Sequence, residues 1–481
     1  MLLFLKYEPC FYLIMNRFLF VLGSNWQLSL AELDNFLKNS QIIGRITDYS
    51  ANIAIVEFEN LHKNKYYINE LMELQYYLGG CQKIAEIYDF VDIQTLFSAF
   101  PLNVEKFKLI ETKRRDILKI ISNSLPKIFP KIKNKSIFFA VSIYPNLYDD
   151  IYYSEVLVKH FLPFLNKEIM TSLNEKGAEK SLYYKYPEEN IRSGDLNPIF
   201  PHHIIKYGLF NEDRAEIIFG ITEEGVYLAR TLTCDDPNFK KKIDEERPFK
   251  EFKSAISPKL ALIMLNFLNL FEEREKKKIL DPFVGNGTIL LFASIEDFQI
   301  YGSDIDEVKV KNTLRNLAWL YEELEEPIPY MLNERVRKAE INKLSSVFNN
   351  EYFDGIATEP ELGPFFNQKP YYSEIKKLID QKLKPIFEAT FREASKILKS
   401  EARISIVAPI FTTVDGGDLP LNIEEFARKY NFKLIPLLDL NRIANKSNQK
   451  LQFQQKHVKN MIDAKKGQIV KRKIFVFEKV N

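Results

Sequence analysis

Cysteine is scarce in this chain of 481 residues: Cys10, Cys81 and Cys234 lie far apart, with no CxxC pair and no histidine at metal-ligand spacing. That excludes a disulfide framework and leaves reduced, structural thiols. Histidine is nearly as rare, with five residues of which His202 and His203 are adjacent, so no metal centre is expected. The 17 glycines and 22 prolines are too few for a long disordered arm beside 46% hydrophobic and 27% charged residues, a balance that describes folded domains. Long apolar runs are missing too. None approaches the ~20 residues that a membrane-spanning helix needs, so the expectation is a soluble cytoplasmic protein with no membrane partner. The opening MLLFLKYEPCFYLIMNRFLFVLG is apolar, but Lys6, Glu8 and Arg17 interrupt it and no small-residue cleavage site follows, which argues against a signal peptide. A strand-forming segment from near Met15 fits it better, with Met15 itself an alternative start.

Net charge is small, +2, yet unevenly placed. Asn103 to Ser136 holds ten Lys/Arg against Glu105, Glu111 and Asp116, and Arg442 to Lys473 holds ten against Asp463 alone. Either segment taken singly is equally a solvated face. Two of them in a nearly neutral chain point to a polyanionic partner, with Lys113, Arg114, Arg115, Lys131 and Lys133 as candidate contacts.

The length predicts two or three domains. A strand over Arg17–Gly23, a helix LSLAELDNFLKN opened by a Ser29-x-x-Glu32 capping box, a strand over Asn52–Phe58, a helix over Ile68–Gly79 and a strand over Lys83–Tyr88 compose a small α+β unit ending near residue 90. A basic helical stretch, a strand over Ser136–Ile143, a helix over Ser154–Asn174 and a strand over Ser181–Tyr186 compose a second. Two further strands, AEIIFGIT and GVYLARTLT, follow as a hairpin, and charged Asp235–Lys253 reads as a linker. From Lys259 onward, KKILDPF, QIYGSDI, FDGIATEP, RISIVAPI, FKLIPLL and KIFVFEK alternate with helix-length segments. That predicts a doubly wound, largely parallel sheet with the last two strands antiparallel at one edge.

The strongest local signal is KILDPFVGNGTILL, a strand ending at Asp281-Pro282 that turns through Gly285 and Gly287 into a helix. Glycines there let the backbone turn tightly and approach a ligand. A phosphate-binding P-loop would need a lysine before the threonine, and Gly287-Thr288 has none. Asp304 stands 17 residues beyond Gly287 at the end of the second strand, where an acidic side chain accepts hydrogen bonds from ribose hydroxyls. Asp306 is the less favoured choice.

Asp-Pro-Phe-x-Gly-x-Gly-Thr resembles the first motif of amino-group methyltransferases. Glu340 stands where such enzymes place an acid at the third strand, and Asp354-Gly-Ile-Ala-Thr-Glu-Pro-Glu-Leu-Gly-Pro occupies their fourth-strand catalytic position. The order of motifs, with Gly467-Gln468 and KIFVFEK near the end, resembles the archaeal-type tRNA guanine-10 N2-methyltransferase family. In the front half, FVLGSNWQLSLAEL resembles the family's opening and LGGCQKIAEIY the approach to its THUMP RNA-binding domain. Glu246-Arg247-Pro248 and Ser257-Pro258-Lys259-Leu260-Ala261 resemble the approach to its catalytic domain. The likeness runs from residue 16 over nearly all of the chain.

The resemblance implies an α/β protein: an α+β ferredoxin-like domain over 1–90, a THUMP domain over 91–190, a connecting hairpin and linker over 191–255, and a Rossmann-like methyltransferase domain over 256–481. It implies S-adenosyl-L-methionine held by Asp281, Pro282, Phe283, Gly285, Gly287, Thr288, Asp304 and Glu340, and tRNA as partner, with a helper subunit left open. The catalytic positions are Thr358, Glu359 and Pro360. An exocyclic base amine is a poor nucleophile, so the site must accept hydrogen bonds from the NH2 group, aim it, and stack the base. The family's usual Asp-Pro-Pro-Tyr reads Thr358-Glu359-Pro360-Glu361 here, aligned on Pro360. Glu359 then serves as acceptor and Phe365 or Phe366 as stacking face, core or lid packing being the alternative for the two phenylalanines. Phe292 stands where a glutamate is common. DNA or ribosomal RNA as substrate, and a catalytically silent RNA-binding relative, are the competing readings.

Overall fold

The computed structural model describes residues 16–61, 66–101, 114–145, 152–189, 199–250, 256–439, 453, 457–465 and 467–480. Its front half is built on one eight-stranded sheet. The strands are β1 (Arg17–Leu22), β2 (Gly44–Ser50), β3 (Ile53–Phe58), β4 (Cys81–Asp92), β5 (Ser136–Tyr144), β6 (Lys180–Tyr183), β7 (Arg214–Ile221) and β8 (Gly225–Cys234), in the order β2-β3-β1-β4-β8-β7-β5-β6. Phe18 to Leu22 are all buried, with Phe18, Phe20 and Leu22 packed into one core and Leu19 and Val21 into another, as the two-residue period of a strand demands.

The hairpin read from sequence as a connector lies inside this sheet. β8 pairs antiparallel with β4, and β7 pairs parallel with β5, so the two front units share a single set of ladders. The physical reason is composition: β7 is buried from Ala215 to Ile221 and β8 from Gly225 to Ala229, and strands apolar on both faces belong in a sheet's interior. Asp235–Lys253, read as a linker, contains the helix Pro237–Glu246, whose N-cap Asp236 accepts a hydrogen bond from the Asn238 N–H. β2, a short Arg/Thr/Asp-containing strand, has no apolar run and went unread.

The second sheet carries β9 (Lys278–Asp281), β10 (Gln299–Asp304), β11 (Val336–Lys338), β12 (Phe353–Thr358), β13 (Leu398–Thr412), β14 (Asp418–Pro420) and β15 (Phe432–Ile435). A two-stranded β16 (Leu438–Asp439) and β17 (His457–Val458) stand apart, and β18 (Met461–Asp463) and β19 (Val470–Lys479) complete the set. The order is β11-β10-β9-β12-β13-β19-β15. It is parallel through β13, with β19 antiparallel to both neighbours, and β14 and β18 pair at the side. Ile279 and Ile300 face one core and Leu280 and Tyr301 another, so helices cover both faces of a doubly wound sheet. Strand order reverses between β9 and β12. The carboxyl ends of those strands are therefore where such a sheet opens a crevice. No helix of the described residues is long and apolar enough to cross a membrane.

A buried carboxylate joins the halves. The helix over Trp26–Asn39 starts three residues before Ser29 and leaves Glu32 in its interior, so the pair predicted as a capping box does other work. The Ser29 hydroxyl donates to the Asn25 carbonyl at 3.0 Å, and Glu32 accepts from the N–H groups of Gly79 (2.9 Å) and Gly80 (2.7 Å) and from Asn266 Nδ2 (2.7 Å). Asn266 ends the helix Pro258–Asn266 of the second half and also donates to the Tyr77 carbonyl at 2.8 Å. Arg274, ion-paired with buried Glu296, lies over the Tyr77 ring, and Phe453 packs on Trp26 with its N–H donating to Tyr49. Replacing Glu32 by Ala orphans two buried backbone donors and an amide. We expect a loss of roughly 3 kcal/mol or more in unfolding free energy, and a smaller loss for Glu32→Gln, read from urea midpoints.

Candidate active site

β9 delivers Asp281 to the carboxyl edge, and the chain then turns through Gly285 (φ +50°) and Gly287 (φ +86°) into the helix Thr288–Ile295. A Cβ at Gly287 would come within 2.8 Å of Thr313 Cγ2, so this position excludes any side chain. A Cβ at Gly285 would meet nothing within 4 Å, so the loop is open on that side. The loop's carbonyls are tied down by the helix Glu307–Glu323: Thr313 Oγ1 donates to the Gly285 carbonyl and Asn316 Nδ2 to that of Asn286, both at 2.8 Å. The acceptor for the loop's N–H is acidic. Asp304 Oδ2 accepts from the Gly285 N–H at 3.0 Å, and Oδ1 from the Asp306 N–H at 2.9 Å. Gly285 and Asp304 thus meet at the carboxyl edge of the sheet. Burial pushes the Asp304 carboxyl up, and the two N–H groups offset part of the shift. Asp306 instead caps its helix, accepting from the Val308 N–H.

Asp281 is fully enclosed. Its Oδ1 accepts from Thr358 Oγ1 at 2.6 Å and from the Phe283 N–H at 3.1 Å, and burial raises its carboxyl to about 7, with nearby Asp304 and Glu359 adding to the rise. Thr358 is wholly buried with its hydroxyl hydrogen spent on Asp281, so its side chain faces the loop and not a substrate. Glu359, the next residue, meets Arg472 of β19 in a two-point pair, Nε to Oε2 at 2.5 Å and Nη2 to Oε1 at 3.1 Å. Burial pushes its carboxyl up and Arg472 draws it back. Pro360 is buried, and Glu361 pairs with Lys382 at the surface. Phe365 is 62% exposed, whereas Phe366 packs edge-on against Phe411.

Other expectations separate here. Buried Thr288 accepts a hydrogen bond on its hydroxyl from Arg247 Nη1 at 3.0 Å, away from a ligand role, and Pro282 is buried beside half-buried Phe283. Glu340 is exposed just past β11 and pairs with Lys343 at 3.2 Å, two residues beyond the backbone partner of Asp304. Phe292 lines a cavity of about 780 Å³ between the halves with Met72, Tyr76 and Leu262, so an apolar ring suits it where a carboxylate would be stranded. Arg114 is buried with its guanidinium over Phe100 and Phe164, at 4.4 and 5.0 Å, which removes it from the phosphate-contact set. Arg115 and Lys133 are exposed, Lys131 pairs with Glu212 in solvent, and Lys113 lies outside the described residues. Sequence reasoning missed Thr313 and Asn316, and it gave Arg247 no partner beyond its place in the Glu246-Arg247-Pro248 segment. The signal was available for the first two, polar residues three apart on one helical face behind a glycine turn.

No family model matches the chain. It is similar to the tRNA (guanine(10)-N2)-dimethyltransferase of Pyrococcus abyssi, 31% identical over 120 residues, or 25% of this chain and 32% of that protein. It is also similar to a probable tRNA (guanine(10)-N2)-dimethyltransferase of Methanothermococcus thermolithotrophicus, 30% identical over 145 residues, or 29% of this chain and 82% of that protein. The match to the first thus spans about a third of its length. Among solved structures, TrmN from Thermus thermophilus is 14% identical with a TM-score of 0.44, covering 96% of this chain and all of that one.

The buried acids make stability depend on pH. Asp281 is raised from 3.8 to about 7, so between those values the folded chain keeps a proton that the unfolded chain has released. Stability therefore falls as pH rises across that window and is flat above it. Asp281→Asn keeps an acceptor for Thr358 and removes this part of the slope. Melting temperatures at pH 5 and pH 8 should differ less in the variant than in the parent, the remaining slope coming from the other acids that burial pushes up, Glu32 (to about 7), Asp304 and Glu359.

Proposed function

The chain belongs to the tRNA (guanine(10)-N2)-dimethyltransferase family, and from that premise we propose that it is an S-adenosyl-L-methionine-dependent methyltransferase acting in the cytoplasm on the exocyclic N2 amine of guanine 10 in tRNA. The observation that carries the reading is the convergence of Gly285, Asp304 and Asp281 at the carboxyl ends of β9 and β10. The residues fit the cofactor's chemistry. The open space at Gly285 leaves room for a ligand against the backbone, and Asp304 has the acidic character that ribose hydroxyls require. Asp281 is a buried acid that a cationic amino group would hold ionised.

When bound, the cofactor supplies an electrophilic methyl on a sulfonium centre. The protein's part is to bind, orient and dry the acceptor. Glu359, or the carbonyls around Pro360, accept the N–H hydrogens of the amine, and Phe365 gives the base an exposed aromatic face at the rim. The front half, 1–90 as a ferredoxin-like domain and 91–190 as a THUMP domain, grips the RNA through Arg115, Lys131 and Lys133, and the Glu32–Asn266 contact holds it against the half that carries the chemistry.

One observation favours a second reading, an RNA-binding relative that holds the cofactor without turnover: Thr358, at the family's acidic position, is buried and bonded to Asp281. Turnover decides between them. Purified protein with labelled cofactor should place methyl on N2 of guanine 10 in an unmodified tRNA transcript, read by nucleoside mass spectrometry; binding of S-adenosylhomocysteine without any transfer selects the silent relative. Asp304→Ala should weaken S-adenosylhomocysteine roughly 30-fold, about 2 kcal/mol, by calorimetry. Affinity for tRNA should fall at least ~10-fold between 50 and 200 mM salt as released counterions lose their entropic advantage.

A further inference from the structure

We propose that Arg472, on the last strand of the sheet, is the positioning residue for the acceptor amine: it fixes the Glu359 carboxylate as the group that receives the substrate's N–H. This rests on the methyltransferase reading above. Arg472 belongs to the basic stretch near the carboxyl terminus, where its charge alone suggests a phosphate contact. The fold spends it elsewhere. It is 13% exposed in its side chain, and its Nε and Nη2 each meet a different oxygen of Glu359.

A planar fork on a planar carboxylate sets the acid's orientation as well as its charge. It uses two of the four lone-pair directions of the carboxylate and leaves two for a donor. The other acids nearby are engaged elsewhere: in the reading above Asp281 and Asp304 stand on the cofactor side, and Glu361 pairs at the surface. Asp281 receives Thr358 and the Phe283 N–H, Asp304 receives Gly285 and Asp306, and Glu361 is held by Lys382. Across the β18–β19 ladder from Arg472 stands Asp463. Asp463 Oδ1 accepts from Asn25 Nδ2 of the front half at 3.2 Å, and the Ile462 carbonyl accepts from the same nitrogen at 3.1 Å. Arg472 thus pairs with the carboxylate at the acceptor site and feels the charge of Asp463, an acid that the front half holds in place.

Arg472→Gln and Arg472→Lys test this in the full chain with tRNA and labelled cofactor. We expect Arg472→Gln to lower kcat by roughly 100-fold while KM for tRNA and the Kd for S-adenosylhomocysteine move less than about 3-fold. The acid limb of its pH–kcat profile should shift to higher pH, because an unpaired Glu359 takes up its proton more readily. Arg472→Lys should fall between the two, having the charge without the fork. Glu359→Gln and the double variant should share one residual rate, since two residues acting as a unit do not add. An Arg472→Gln enzyme with parental kcat, or one losing cofactor affinity and kcat together with an unshifted profile, overturns the assignment. Carbodiimide labelling of carboxyls, read by peptide mass spectrometry, gives a readout without turnover: Glu359 should label several-fold faster in Arg472→Gln than in the parent. Equal labelling overturns the pairing whatever the tRNA assay gives. Unequal labelling with no methyl transfer by the parent supports the pairing and refutes the guanine reading instead.

Discussion

The hydrogen bond from the Gly285 N–H to Asp304 is the constraint on which the carboxyl edge of the second sheet depends. It closes the turn after β9 onto the end of β10, two strands already paired in parallel from Lys278↔Gln299 to Asp281↔Gly302. With the loop's N–H taken by an acid and its carbonyls by Thr313 and Asn316, the backbone of residues 285–287 has few ways to move. A positive-φ turn is costly in freedom for glycine, and these side-chain bonds offset that cost.

Around that constraint the acids are divided by environment. Asp304 sits half-buried with two backbone donors, Asp281 is enclosed beside a threonine hydroxyl, and Glu359 is matched to a guanidinium. Burial pushes all three carboxyls up, and each is drawn back by a different type of partner. The Thr358-Glu359-Pro360-Glu361 segment, unusual beside the Asp-Pro-Pro-Tyr pattern it resembles, is coherent in this light: the carboxylate has moved one residue along, and an arginine from β19 meets it there.

The two halves are bound by polar groups that only the assembled molecule satisfies. Glu32 finds its three donors in two separate segments, Gly79-Gly80 of the front half and Asn266 of the second. Asn25 reaches the β18 segment beside Arg472. Tight apposition at Gly79, where a Cβ would come within 2.8 Å of Leu262 Cβ, leaves no slack between them. Burying charges and amides at such a contact costs stability unless every partner is in register, so the contact rewards one relative placement above others.

Much of this was legible in the residues themselves. Alternating apolar runs set the second sheet and its antiparallel edge, and glycine spacing set the turn and the acid that meets it, because strand period and positive-φ turns are local properties. Most of the residues that went misread are those whose partners are remote in sequence. Arg472 reads as one more charge of a lysine-rich tail until β19 joins the sheet that carries β12. Arg114 reads as a phosphate contact until it is enclosed over Phe100 and Phe164, and Ser29 and Glu32 read as a cap until the helix begins at Trp26. The hairpin β7–β8 reads as a connector until β4 and β5 claim its two edges. The residues alone specify most of the elements and the glycine turn. Tertiary structure decided which charges are spent on one another, since the partner of a buried charge is chosen by proximity in space and not by distance along the chain.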